Sequence, residues 1–298
     1  MRLREFALDN LPEVDRIRSA VFPWHTADLE TQRTLLRAQP PHARALRVCA
    51  ELGGRVVGFG VAMLEVNAAE PGVGSVSVAV QPDFRMRGIG SAIHARLEGH
   101  LRGVGARHAQ GYAMLEPPSL DWAERRGFTF GATVRYLSLD PRSLPPLSPA
   151  PANVVLLTAG EAGPAACYAV DNTASQDEPG DIRHAGMAHS EWLDRRWNVL
   201  DPEVSMVATV DGSPAALTML DVNRVTGRAM SIGSGTLPAH RGLGLMRLLK
   251  SASLRRAAEF GVTTAFTAND ETNKPMLAIN EWLGYRYLAG IRSAIKDL

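Results

Sequence analysis

Apolar residues at Leu11, Val14, Ile17 and Val21 recur at the spacing of one helix face, with Asn10 ahead of them as a cap. A second helix is predicted over Thr26 to Ala38. Apolar-rich runs then predict strands Leu46 to Leu52, Arg55 to Asn67 and Val73 to Gln81, the first two joined by a turn at Gly53-Gly54. The helical period returns over Gly88 to Val104, where Ile89, Ile93, Leu97 and Leu101 share a face. A strand His108 to Tyr112, a helix Ser119 to Arg126 and a strand Thr129 to Ser138 follow. Beyond a proline-rich interruption the order repeats. Strands Val204 to Val210, Pro214 to Val222 and Arg228 to Leu237 precede a helix Gly242 to Phe260. A strand Thr263 to Ala268, a helix Thr272 to Trp282 and a strand Tyr285 to Ile295 end the series.

The recurrence extends to residue identity. Met63-Leu64-Glu65-Val66-Asn67 is answered 156 residues later by Met219-Leu220-Asp221-Val222-Asn223. Pro82-x-x-Arg85-x-x-Gly88 is answered at the same offset by Pro238-x-x-Arg241-x-x-Gly244, and Arg126-Gly127-Phe128 by Leu283-Gly284-Tyr285 at an offset of 157. A shared offset over so long a stretch points to a duplicated domain. Pro141, Pro145, Pro146, Pro149 and Pro151 crowd the interruption, and each fixes φ and removes a backbone donor. The expected layout is therefore an N-terminal domain over 1–140, a linker over 141–152 and a C-terminal domain over 153–298. The expected class is α+β, with a mixed, mostly antiparallel sheet flanked by helices in each domain.

Composition narrows the function classes. The 298 residues carry a net charge of +1 with 45% hydrophobic content, and neither half has the basic stripe of a nucleic-acid binder. The N-terminal stretch has no signal-peptide pattern and no segment is apolar enough to span a membrane, so a cytoplasmic location is expected. The two cysteines, Cys49 and Cys167, form no disulfide framework, and His184, His189 and His240 lack metal-ligand spacing, so no metal is expected. Cys167 sits in an apolar run and reads as packing rather than as a nucleophile.

The chemistry-bearing segment is Pro82-Asp-Phe-Arg85-Met86-Arg87-Gly88-Ile89-Gly90-Ser91, a loop between a strand and a long helix. The first N–H groups of a helix have no partner within it, and the macrodipole makes that end partly positive. An anion is held there by several donors together, and glycine lets it come close. Arg85-x-x-Gly88-x-Gly90 resembles the Arg/Gln-x-x-Gly-x-Gly/Ala motif of the GNAT superfamily of N-acetyltransferases. Arg241-Gly242-Leu243-Gly244-Leu245-Met246 keeps the Arg and the first Gly, with Met246 where the family has Gly or Ala. Asn273-x-x-Met276-x-x-x-Asn280-x-x-x-Gly284-Tyr285 looks like the family's closing helix. The resemblance spans the chain as two tandem domains, an arrangement shared with mycothiol synthase-like acetyltransferases.

That resemblance implies acetyl-CoA as cosubstrate, with its pyrophosphate on Arg85 to Ser91 or on Arg241 to Leu245. It places the pantetheine arm along Val78 to Val80 or Ser234 to Thr236, and matches Asn273 to a family Asn that contacts the arm, with Glu116 at that place in the first copy. It implies direct acetyl transfer to an amine. Neither strand before the loop carries the family's acid, so Glu65 and Asp221 on the preceding strands are the candidate bases. Where many members have a Tyr acid this chain has Ala123 and Asn280, and Asn280 is the candidate donor to the leaving sulfur. Asn273 against Glu116 favours the second copy as the catalytic one. The expected partners are acetyl-CoA and an amine-bearing small molecule, with neither nucleic acid nor membrane, and an oligomer is possible. A CoA-binding sensor without turnover, and transfer to protein amines, remain open at this point.

Overall fold

The computed structural model describes residues 1–147, 149–182 and 185–298. Ser148, within the predicted linker, and His184 lie outside the described residues. The first half forms β1 (Arg2–Glu5), α1 (Leu11–Val21), α2 (Leu29–Arg37), β2 (Leu46–Leu52), β3 (Arg55–Leu64), β4 (Val73–Val80), α3 (Ile89–Gly103), β5 (His108–Met114), α4 (Pro117–Glu124) and β6 (Thr129–Leu139). The second half forms β7 (Val154–Thr158), α5 (Ala159–Ala174), α6 (His189–Trp192), β8 (Met206–Val210), β9 (Ser213–Asn223), β10 (Arg228–Thr236), α7 (Leu245–Glu259), β11 (Thr264–Asp270), α8 (Lys274–Leu283) and β12 (Arg286–Asp297).

Two compact units result, and they are not divided at the proline-rich segment. Unit 1 comprises Met1–His25, Gln39–Thr133 and Gly290–Leu298; unit 2 comprises Thr26–Ala38 and Val134–Ala289. Each sheet is closed by a strand from the other half of the sequence. In unit 1, β1 to β4 are antiparallel neighbours, β4 runs parallel to β5, and β5 pairs antiparallel with residues 291–297 of β12. In unit 2, β7 to β10 are antiparallel, β10 runs parallel to β11, and β11 pairs antiparallel with residues 134–139 of β6. The helix expected in the first domain over Thr26 to Ala38 forms as α2, capped by Asp28, but belongs to unit 2.

Helices cover both faces of each sheet. In unit 1, Ile89, Ile93, Leu97 and Leu101 of α3 are buried on Val48, Ala50, Ala62 and Val76, while Val14 and Ile17 of α1 pack on Cys49, Phe59 and Ala79. In unit 2, Leu245, Met246 and Leu249 of α7 pack on Ala208 and Ala216, while Cys167 and Val170 of α5 pack with Trp192 on Val207, Leu217 and Met219. Full burial of each such side chain is worth about 1.5–3 kcal/mol. Asn10 does not cap α1 with its side chain; its Oδ1 accepts from Ala7 N and Arg4 Nη1 instead.

Two glycines decide how α5 sits. A Cβ on Gly235 would stand 2.3 Å from Ala174 Cβ, and one on Gly233 would stand 2.5 Å from Met219 Cε. The absent side chains let α5 lie directly on the C-terminal half of β10.

Candidate active site

In both units a parallel strand pair parts partway along its length. β4 and β5 are paired from Val73 and His108 only as far as Ser75 and Gln110, after which β4 continues to Val80. β10 and β11 are paired only as far as Met230 and Phe266, and β10 continues to Thr236. Each parting leaves a wedge with ladder groups of the longer strand unpaired on that side, available to an extended ligand. Val78 and Val80 lie on the wedge strand of unit 1, and Ser234 and Thr236 on that of unit 2, where Ser234 Oγ is 2.8 Å from Thr218 Oγ1.

The two wedge strands differ. β4 holds one unbroken register against β3 from Leu64↔Gly74 to Gly58↔Val80. β10 shifts register against β9 between Ser231 and Gly233, so Ile232 is an extra residue, bulged out of the ladder. Arg196 Nη1 donates to the Ile232 carbonyl at 2.8 Å from a single π-turn, Leu193–Trp197.

The phosphate loops are close copies. Each strand ends in a 3-10 turn, Pro82–Phe84 or Pro238–His240, then an extended Arg85 or Arg241, then a helix opening on a left-handed glycine. Gly88 has φ 77° and Gly244 φ 74°, and a Cβ on either would meet nothing within 4 Å. Met86 and Gly242 both hold positive φ, at 60° and 80°, and the loops from Arg85 to Gly88 and from Arg241 to Gly244 are exposed. Ile89 and Leu245 turn into their cores, and so does Met246, which therefore leaves the loop mouth clear. Open space before the first-turn N–H groups of a 15-residue helix fits the pyrophosphate of acetyl-CoA.

The motif arginines make contacts within the protein. Arg85 Nε donates to Val80 O at 3.3 Å and Arg241 Nε to Thr236 O at 3.2 Å, tying each loop back to its strand. Their outer nitrogens meet carboxylates, Glu116 at 4.0 Å and Asp177 at 2.7 Å. In unit 1 the Arg126 guanidinium also donates to Ser91 Oγ and lies over the Trp122 ring beside Gly90. Arg87 Nη2 donates to Asp83 O, and Leu243 is exposed.

The closing helices also differ. Asn273 caps α8, its Oδ1 accepting from Met276 N at 3.3 Å, which leaves the side-chain N–H groups to donate elsewhere. Glu116 precedes α4 and accepts from Ser119 Oγ. Asn280 is fully buried, with Nδ2 donating to Asn269 Oδ1 at 2.6 Å and Oδ1 unpartnered. Its amide thus lies in the interior between α8 and β11 rather than at the wedge surface.

Of the two candidate bases, Glu65 is half-buried just beyond β3. Asp221 is 6% exposed on β9, where Thr26 Oγ1 faces its Oδ2 at 3.4 Å and Asn223 Nδ2 ties the Thr26 carbonyl at 3.0 Å. Burial, then the Asp28 carboxylate, push the Asp221 carboxyl up to about 6, against the opposing pull of the Thr26 hydroxyl. The sheet register puts Asp221 across from Met230, on the strand that flanks β10 away from the wedge.

One acid at this site has no place in the sequence reading. Asp171 of α5 accepts from Trp192 Nε1 at 2.7 Å through Oδ2, while its Oδ1 stands 3.4 Å from where a Cβ on Gly233 would be. Its signal was present: Asp15 occupies the same place in the first copy, 156 residues earlier. In unit 1 that Asp15 faces His25 Nε2 at 2.9 Å. Among the described residues no cluster of three or more metal-ligating side chains occurs, and no helix is long and apolar enough to cross a membrane.

These features coincide with what comparison with known proteins finds. The Acetyltransferase (GNAT) family profile matches residues 9–128 and again 169–285. A tandem GNAT protein from the clavulanic acid biosynthesis pathway is 20% identical, with 99% of this chain and 98% of that chain covered and a TM-score of 0.74. A GCN5-related N-acetyltransferase from Sphaerobacter thermophilus is 18% identical over 99% of this chain and 95% of that one, with a TM-score of 0.73. One from Kribbella flavida is 20% identical, with 95% of each chain covered and a TM-score of 0.54. At these identities the likeness to solved structures is one of fold. A search of curated proteins returned no significant match. With both copies of the repeat matched, the chain belongs to the acetyltransferase (GNAT) family, as an N-acetyltransferase with tandem domains.

Proposed function

We propose that unit 2 transfers the acetyl group of acetyl-CoA directly to the amine of a small molecule. The observation that carries this reading is the bulge at Ile232, set where β10 and β11 part and absent from the unbroken register of β4. A residue expelled from its ladder keeps a backbone N–H for other use. In this reading that N–H polarises the carbonyl to be attacked. The loop from Arg241 to Leu245 and the first-turn N–H groups of α7 hold the pyrophosphate, with Gly242 and Gly244 giving room. Ser234 and Thr236 border the arm, and Asn273 donates to it while capping α8. Acetyl-CoA, when bound, supplies an activated acetyl thioester. Asp221 has a raised pKa but stands on β9, one strand away from the parting. Asn280 serves by fixing Asn269 on β11, not by donating to sulfur.

A small acceptor is favoured because the face of β10 at the bulge lies beneath α5, which suits a compact amine better than a polypeptide side chain. We assign unit 1 a cofactor cradle from Arg85 to Ser91, bordered by Val78 and Val80, without turnover. Its strand lacks the bulge, Glu116 replaces the Asn, and Asp15 is engaged by His25. Glu65 then has no proton-transfer role.

The test is calorimetric titration of acetyl-CoA together with thiol release across a panel of amines. Amine-dependent release should be lost in Gly244→Val and kept in Gly88→Val. Binding without release for any amine would replace this reading with a CoA-binding sensor. Release that follows Gly88 instead would move the chemistry to unit 1.

A further inference from the structure

The reading above leaves the attacking nitrogen without a neighbour. Asp221 is on β9, while the wedge lies on the opposite side of β10, so at least one strand spacing of about 4.8 Å separates it from the chemistry. The carboxylate that reaches the bulge is Asp171. Its Oδ2 is held by Trp192 Nε1, and Trp192 is 1% exposed within the α5 core, so the side chain has one fixed orientation. That orientation turns Oδ1 onto Gly233, the residue that follows the bulge. The approach is possible because Gly233 and Gly235 have no side chains; Ser77 and Ala79 stand at these places in the first copy.

The face is also the right one. Successive strand residues point to opposite faces. Leu220 of β9 packs with Ala257 of α7, whereas Met219 packs with Trp192 and Val170 of α5. The phosphate cradle is the start of α7, so α7 packs on the cofactor's face of the sheet. Asp171 approaches the bulge from the other face, the one that carries α5. Cys167 of its own helix faces it, a thiol pushed up by burial and then by Asp171, while the Arg196 guanidinium is held on the Ile232 carbonyl.

Resting on the assignment of acetyl transfer to unit 2, we propose that Asp171 Oδ1 binds the acceptor amine and takes its proton, with Trp192 as its positioning residue. The nitrogen lone pair forms the C–N bond to the acetyl carbon, the C–S bond breaks, and the sulfur leaves with that bond pair. Of the two protons that the ammonium nitrogen loses, one goes to Asp171 Oδ1 and the other to solvent, and the sulfur is protonated from solvent. The acceptor is thereby a compact amine that arrives as a cation and is held by an anionic carboxylate on the α5 side.

Asp171→Asn tests this, since Asn keeps an oxygen for Trp192 Nε1 and removes the charge. For the most active amine of the panel, kcat should fall about 100-fold. The loss should be confined to Asp171→Asn, with kcat retained in Asp221→Asn. Acetyl-CoA affinity by calorimetry and the Trp192 indole N–H resonance should stay in place, which separates lost chemistry from lost structure. Trp192→Phe should raise KM for the amine and leave acetyl-CoA affinity unchanged. Full activity in Asp171→Asn, or a loss of kcat in Asp221→Asn alone, would overturn the assignment while leaving acetyl transfer intact. A wild-type protein that binds acetyl-CoA and releases no thiol with any amine would overturn both.

Discussion

Asp221 is an acid that the fold holds at a disadvantage, and that disadvantage is measurable. Its carboxyl titrates at about 6 in the folded chain against 3.8 for the free side chain, chiefly through burial and then the Asp28 carboxylate. At 1.36 kcal/mol per pK unit the shift corresponds to about 3 kcal/mol. The sign follows from proton counting. Between the two pKa values the folded state keeps a proton that the unfolded state has lost, so stability falls as pH rises from about 4 to about 6. The full cost applies above pH 6 and none applies below the unfolded pKa. Asp221→Asn keeps the size and an acceptor for Thr26 Oγ1 and cannot ionise. It should therefore gain up to about 3 kcal/mol in urea unfolding near pH 8 and almost nothing near pH 4. A gain that does not vary with pH, or no gain near pH 8, would refute the buried, raised-pKa state of this carboxyl. A variant that is more stable and also turns over more slowly would mark Asp221 as an acid kept for function against the interest of stability.

Lys250 is buried on α7 with its Nζ 4.0 Å from Met276 Sδ, and burial lowers its pKa to about 8. Here the unfolded chain holds the proton longer, so the cost is present below pH 8 and vanishes above the free lysine pKa. Lys250→Met should stabilise unfolding at neutral pH by about 3 kcal/mol, with the gain fading towards pH 10.5. Met86 holds φ 60° with its side chain 94% exposed, so Met86→Gly relieves a left-handed backbone without losing packing. It should raise stability by about 1 kcal/mol, and a loss on urea unfolding would refute the strain. Gly235→Ala drives a methyl into Ala174 and should cost about 1–3 kcal/mol while lifting α5 off β10, so thiol release should fall further than acetyl-CoA affinity.

Much of this was legible because periodicity and repetition are local signals. The face Ile89, Ile93, Leu97 and Leu101 is buried as its spacing predicts, and β2 spans Leu46–Leu52 as read from its apolar run. Both glycine-opened helices were visible in the doubled Pro-x-x-Arg-x-x-Gly pattern. The stretch from Thr158 to Asn198 yielded no predicted element in the sequence. Its helix α5 is interrupted at Gly163, with φ 78°, ahead of Pro164, which breaks the pattern a reader counts. The turn after α6 is of π type and falls out of the 3.6-residue period. That stretch carries Asp171, Trp192 and Arg196, so the part of the site facing a second reactant stayed hidden while the cofactor part did not. The bulge at Ile232 is equally invisible, because it is a property of register between strands. The placement of 26–38 and 290–298 was missed for a related reason: spacing reports which residues form an element, not which sheet receives it.

The exchange of closing strands bears on how the chain is made. Until residues 290–298 emerge from the ribosome, β5 has no partner on one side and unit 1 presents an open sheet edge. His108 and Asp297, which meet at that edge, are 189 positions apart. At synthesis rates of about 5–20 residues per second the edge stays unpaired for roughly 10–40 s. Unit 1, although translated first, is the unit whose completion comes last, and during that interval its exposed ladder is a target for chaperones and for pairing with other nascent chains.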